Sequence, residues 1–308
     1  PHHEFSVVSF VLPRRRGFDD EEAQQKAKAR REFKEMDWVG SWALSLGVTM
    51  LMLALSVSPS IGFSSPWCLA LFALTVTMLW AFIYRIRHAR NPLIPAHYFR
   101  RRNFVMPMVL RAAANFSYFG AFFLFPLLME QGYGYSIPHV GALAIARPLT
   151  FALCSPIAGY VAIRIGERVS AIAGATFLTA SLVLFALLAP TTGAWVIAIA
   201  LALSGLGMGV AMPSSSSVMA NEVKSSEFGV MSAAQMLAMQ VGEVAGIQVL
   251  ETVQQGLVHQ RGLVGAKPGP ALLATFHLPF LIGAGVGAAG IVAALFFRSM
   301  AREPSGER

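Results

Sequence analysis

PHVGALAIARPLTFALCSPIAGYVAIRIGER, Pro138 to Arg168, decides what kind of molecule this is. Crossing ~30 Å of hydrocarbon takes about 20 predominantly apolar residues at 1.5 Å rise per residue. This stretch supplies them between an uncharged start and a short basic turn, Arg164 to Arg168. Arg147 stands about nine residues in, which is about 14 Å down the span by helical rise. A charge at that depth costs at least about 2.5–3.5 kcal/mol on insertion scales, so it must face water or a partner rather than lipid. An arginine held there is explained by function more readily than by folding.

Composition extends that reading to the whole chain. Of its 308 residues, 55% are hydrophobic and 13% charged, against about 25% charged in soluble domains. That excludes a soluble globule and specifies a polytopic, all-α membrane protein with the lipid bilayer as its main partner. The net charge of +8 is not a nucleic-acid signature. Of 24 Lys and Arg, only Arg261 and Lys267 fall in the segment Gln254 to Ala271, and only Arg111 and Arg147 fall inside spans. The rest gather where the positive-inside rule places the cytoplasm. Cys68 and Cys154 each lie in an apolar span and read as small hydrophobes rather than a disulfide.

In chain order, residues 1–36 form a polar cytoplasmic linker whose run Phe5 to Leu12 is too short to span and reads as the stump of an earlier helix. Residues 37–84 hold two spans, Trp38 to Val57 and Pro66 to Tyr84, with a turn at Pro59 and Gly62. Residues 85–103 are a basic cytoplasmic loop. Residues 104–298 hold six more spans: Phe104 to Met129, the opening stretch, Val169 to Leu188, Trp195 to Val218, Gly229 to Val253 and Leu273 to Phe297. Residues 299–308 are a cytoplasmic tail. The expectation is eight spans with both ends inside.

The polar residues inside spans mark the candidate path. Met108, Arg111, Asn115, Tyr118 and Phe122 follow helical spacing and form one stripe that should face a cavity. Arg111, about 10 Å from the cytoplasmic end, could attract an anion, hold a gate or snorkel to the headgroups. The seventh span carries Gln235, Met236, Gln240 and Glu243. Glu243 is the one acid deep in a span: a candidate proton carrier, or a structural acid bonded to a glutamine or paired with Arg147. Gly205 and Gly209 are spaced for close helix packing, and no strand or lysine makes them a phosphate loop. The serines after Pro213 have no base nearby in sequence. The histidines are scattered without metal-ligand spacing, and no cofactor motif is present.

Gly159-Tyr-Val-Ala-Ile163-Arg164-Ile-Gly166-Glu-Arg168 resembles the cytoplasmic loop signature G-x-x-x-D-R-x-G-x-R of the major facilitator superfamily. Gly159, Arg164, Gly166 and Arg168 match, and Ile163 stands where the family has its acid. GLGMGVAMPSSSSVMANEV and FGVMSAAQMLAMQVGEVAGIQV resemble late spans of the fourteen-helix drug:proton antiporters of that superfamily. The resemblance implies a C-terminal six-helix bundle preceded by two additional helices, with the chain being the C-terminal part of a longer transporter or a truncated relative. It implies a facing N-terminal six-helix half as partner, amphipathic small molecules and protons as cargo, and export across the cell membrane. It makes Gly159, Arg164, Gly166 and Arg168 a gating loop. It also implies that the fifth and eighth spans face lipid, and these carry no charge. A non-transporting scaffold or partner subunit remains an alternative, and a membrane enzyme a weaker one.

Overall fold

The computed structural model describes residues 38–61, 65–88, 96–223 and 228–298. The expected linker 1–36 and tail 299–308, and part of the loop 85–103, lie outside the described residues. Every described element is helical. The membrane-length helices are α1 (Trp38–Ile61), α2 (Pro66–His88), α3 (Arg102–Leu127), α4 (Ile137–Ala144) running into α5 (Ala146–Ile165), α6 (Glu167–Ala186), α7 (Ala194–Glu222) and α8 (Phe228–Gln260). The short α9 (Pro270–Leu273) leads into α10 (His277–Leu295). Among the described residues, 7 helical stretches are long and apolar enough to cross a membrane. The expected first span is a continuous helix of 24 residues, Trp38–Ile61.

The span that opens the sequence is broken. α4 stops at Ala144, and a turn at Ile145 separates it from α5. Pro148 accounts for this, because it has no N–H to donate to the carbonyl of Ala144 and its ring crowds that carbonyl. The regular ladder resumes with the Leu149 amide on the Ile145 carbonyl at 3.1 Å. Pro126 acts in the same way near the end of α3, which continues as a π-helical turn over Leu128–Gly132. At the other end of α5, Gly166 alone joins two helices, with φ +91° and ψ 144°. That backbone conformation favours glycine strongly.

Apolar periodicity does not choose the contact faces here, because these helices are apolar all round. Small residues choose them. α3 packs along α8 where Ala112 and Phe116 meet Gly242 and Gly246; a Cβ on either glycine would overlap the facing carbonyl. α6 packs along α7 through Gly174 and Gly207, and α5 along α7 through Gly205 and Gly209. α10 closes the back of the bundle against α6 and α3. There Ser117 donates to the Gly283 carbonyl at 2.8 Å, and Phe280 stacks on Phe185 at 5.1 Å. Among the helices from α3 onward, the spans left most open are those of α4–α5 and α8, where 11% and 22% of the apolar window is buried.

One end of the bundle is tied by polar contacts. Arg101 pairs with Glu222 at 3.2 Å. The Asn103 side chain receives the Arg298 amide at 2.9 Å and donates to the Arg298 carbonyl. This end carries the basic residues, and the charge rule predicts that it faces the cytoplasm. In a background without Cys68 and Cys154, an impermeant maleimide applied to intact cells should label Gly262→Cys and spare Arg101→Cys. The opposite pattern would invert the orientation.

Candidate functional site

α3, α5, α7 and α8 line a cavity of about 490 Å³ that is open on one side. α3 contributes Arg111, Asn115, Tyr118, Phe119 and Phe122; α5 contributes Pro148 and Phe151. Met208 and Met212 come from α7 and Met239 from α8. The wall is therefore aromatic and thioether, with a polar floor from Arg111 and Asn115. Methionines suit such a wall because their unbranched, polarizable side chains refill gaps around ligands of different shape.

Arg111 is held at one end of the cavity by α7. Its Nη2 donates to Ser216 Oγ at 2.6 Å, to Ser215 Oγ at 3.3 Å and to the Met212 carbonyl at 3.4 Å. Ser216 in turn donates to Gln235 Oε1 at 3.3 Å, which carries the network onto α8. The serine run after Pro213 thus anchors an arginine. Asn115 donates its amide N–H to the Arg111 carbonyl at 2.7 Å, one turn back on the same helix. Its Oδ1 is buried without a partner, as is Arg111 Nε.

Arg147 lies behind this wall, 1% exposed. Its guanidinium carbon sits 3.6 Å from the centroid of the Tyr118 ring and 5.2 Å from that of Phe122. Its Nη2 donates to the Tyr118 backbone carbonyl. A desolvated cation–π contact of this kind is worth about 2 kcal/mol or more. Ring faces and a carbonyl therefore meet the charge that the sequence left open between a ligand and Glu243. Among the described residues neither Arg147 nor Arg111 forms an ion pair with a carboxylate.

The stripe on α3 comes together as a cavity wall from Arg111 to Phe122, whereas Met108 turns away to pack with Tyr98, Phe104 and Met219. On α8 the small residues Ala234, Ala238, Gly242 and Gly246 take the buried face. This turns Met239 to the cavity and leaves Met236 60% exposed. Gln240 and Glu243 are half-buried and do not line the cavity. Sequence reasoning missed Phe119, Pro148, Phe151, Met208, Met212 and Met239. The pair Met208 and Met212, one turn apart on a glycine-rich helix, was the available signal.

Of the loop residues, Gly166 forms the α5–α6 turn and Gly159 faces open space. Arg164 lies over the Tyr160 ring at 4.8 Å. Arg168 shares a second cleft with Arg102 and Arg298. Gly205 meets the Arg147 carbonyl and the Thr150 hydroxyl; Gly209 meets the Phe151 carbonyl. Among the described residues no group of three or more His, Cys, Asp or Glu stands together to hold a metal ion.

Comparison with known proteins agrees with this architecture. The sequence model described as Major Facilitator Superfamily matches residues 36–247 and 108–308. A multidrug transporter protein, MdtP of Bacillus subtilis (strain 168), is 27% identical over 218 residues, 70% of this chain and 40% of its own. A tetracycline resistance determinant of Streptomyces rimosus is 28% identical over 220 residues, 71% of this chain and 63% of its own. A tetracenomycin C resistance and export protein of Streptomyces glaucescens is 27% identical over 224 residues, 73% of this chain and 42% of its own. The matched region thus spans less than two thirds of each of these relatives. With family-model matches covering most of its length and a bundle of membrane-length helices around a cavity, the chain is a multi-pass membrane protein that belongs to the major facilitator superfamily.

Proposed function

We propose that this chain is the C-terminal part of an exporter of amphipathic small molecules, of the fourteen-helix drug:proton antiporter type, in the cell membrane. The observation that carries the reading is the cavity itself: an apolar, methionine-rich wall with a buried arginine at its floor, between helices whose outer flanks are open. Relatives named for drug transport and antibiotic resistance support the substrate class. Residues 104–298 form the six-helix bundle, residues 37–84 the two additional spans, and a facing six-helix half supplies the other wall. Alternating access then rocks the two bundles around the cavity. Arg111, Asn115 and Tyr118 lie on the substrate path, with Arg147 and Gln235 positioning them. Gly159, Arg164, Gly166 and Arg168 gate the cytoplasmic side.

Proton coupling is assigned to Glu243, which lies about 15 residues into α8 from Phe228, near mid-membrane by helical rise. The test uses the full-length transporter in vesicles with an imposed pH gradient. Wild type should move substrate in response to the gradient. Glu243→Gln should bind substrate normally and lose that response, by about tenfold or more. A gradient response that survives the substitution at unchanged size would assign coupling elsewhere. A full-length protein that moves no amphipathic substrate under any gradient would end the exporter reading.

A further inference from the structure

We infer that the ligand of this cavity is an acidic aromatic amphiphile: a flat apolar body with an ionised oxygen received by Arg111 and a separate hydroxyl or N–H received by Asn115. The inference rests on the cavity being the transport site and adds the charge and hydrogen-bond pattern of what it takes.

Three observations carry it. First, Arg111 is 9% exposed and lines the cavity, yet among the described residues only its Nη2 makes hydrogen bonds, and all of those go to neutral oxygens. Its Nε is buried without a partner, and no carboxylate among the described residues pairs with it. A buried cation left this way is costly until an anion arrives. Second, Asn115 is fully buried, and the 2.7 Å bond from its Nδ2 to the Arg111 carbonyl fixes which way the amide faces. Turning the amide over would set oxygen against oxygen, so Oδ1 is the free atom, an acceptor waiting for a donor. Third, Arg111 and Asn115 lie one helical turn apart on the same face and line the same cavity, so one ligand can meet both. A ligand that meets both must offer an anionic acceptor and a neutral donor. The remaining wall, chiefly Phe119, Phe122, Phe151 and Met212, takes a flat ring body.

A cationic amphiphile does not fit this floor. Its charge would face Arg111 across a medium of low dielectric, where like charges repel far more strongly than in water. A neutral hydrocarbon would leave both unmet groups unmet.

The experiment measures binding of three naphthalenes to the purified full-length transporter in nanodiscs. They are 4-hydroxy-2-naphthoate, whose two polar groups are too far apart to bond each other, 2-naphthoate, and 2-naphthyltrimethylammonium. The expected order is hydroxynaphthoate tightest, naphthoate about fivefold weaker for the lost hydroxyl, and the ammonium at least about tenfold weaker than naphthoate. Asn115→Ala should abolish the difference between the two acids. Arg111→Gln should abolish the preference for acids over the ammonium, and Arg111→Lys should restore part of it. The comparison on the unsubstituted protein decides the matter even where a variant fails to fold. If the ammonium binds as well as or better than the acids, the acid preference falls while the cavity remains a ligand site, and Arg111 belongs to a carboxylate of the facing half. If none of the three binds, the cavity is not the ligand site and both readings fall.

Discussion

Gly242→Leu should remove the folded protein, while Gly256→Leu on the same helix should leave it intact. The contrast follows from where the two glycines stand on α8. A Cβ on Gly242 overlaps the carbonyl of Ala112, a backbone atom that cannot rotate away, whereas a Cβ on Gly256 has open space around it. Overpacking a core by a methylene or two costs about 1–3 kcal/mol when side chains can yield. Here the α3 backbone itself must yield, and with it the contacts of Gly246 against Phe116 and Gly120 against the Gly246 carbonyl. A cost above about 4 kcal/mol is expected, which is a large part of the stability of a typical domain. Size-exclusion profiles of the detergent-extracted protein, with thermal denaturation of any monodisperse peak, should separate the two variants completely. Comparable yield and melting temperature for both would mean that the small-residue seam does not hold α8 to α3.

Arg147→Lys should destabilise the protein by about 2 kcal/mol, and Arg147→Met should cost less than about 1 kcal/mol. The order inverts what charge conservation suggests. Arginine's planar, weakly hydrated guanidinium stacks on the Tyr118 ring, while a lysine ammonium is compact, strongly hydrated and has no plane to stack. Methionine fills similar space without a charge to bury, and replacing buried charges by apolar groups is often neutral. Tyr118→Phe keeps the ring face and should be mild; Tyr118→Leu should be severe with Arg147 in place and mild in the Arg147→Met background. That double-mutant cycle should give a coupling of about 2 kcal/mol. A coupling near zero, read by thermal denaturation, would leave the stack without energetic content.

Much of the fold was legible because the bilayer imposes a length. Long apolar runs separated by basic turns fix where helices cross, and the helices over Phe104 to Phe297 follow those runs, except that α8 continues past Val253 to Gln260, into the segment read as a loop. The break at Ile145 was also written in the sequence, since Pro148 cannot donate to Ala144, but a span read as one hydropathy unit hides it. The site was legible on α3, where polar residues on one helical face stand out against an apolar background. It was not legible on α8. There a polar face through Gln240 and Glu243 and a small-residue face through Ala238 and Gly242 compete to point inward. Close backbone approach decided the rotation, turning Met239 rather than Met236 to the cavity. Nor could spacing reveal that Arg147 would lie on Tyr118, because that contact depends on how closely α5 approaches α3.

The clasp between Asn103 and Arg298 has a topological consequence. Two residues separated by 195 positions in the chain are joined by hydrogen bonds at one end of the bundle, beside the ion pair that ties Arg101 to the end of α7. The thread from α3 to α10 therefore returns to the end of the bundle where it began. Joining Arg298 to Arg102 and opening the chain between α7 and α8, on that same face, would reorder the six spans without reversing the direction in which any of them crosses. The order in which the helices are written is thus separable from the shape they make, and circular permutation at that turn is compatible with the same cavity.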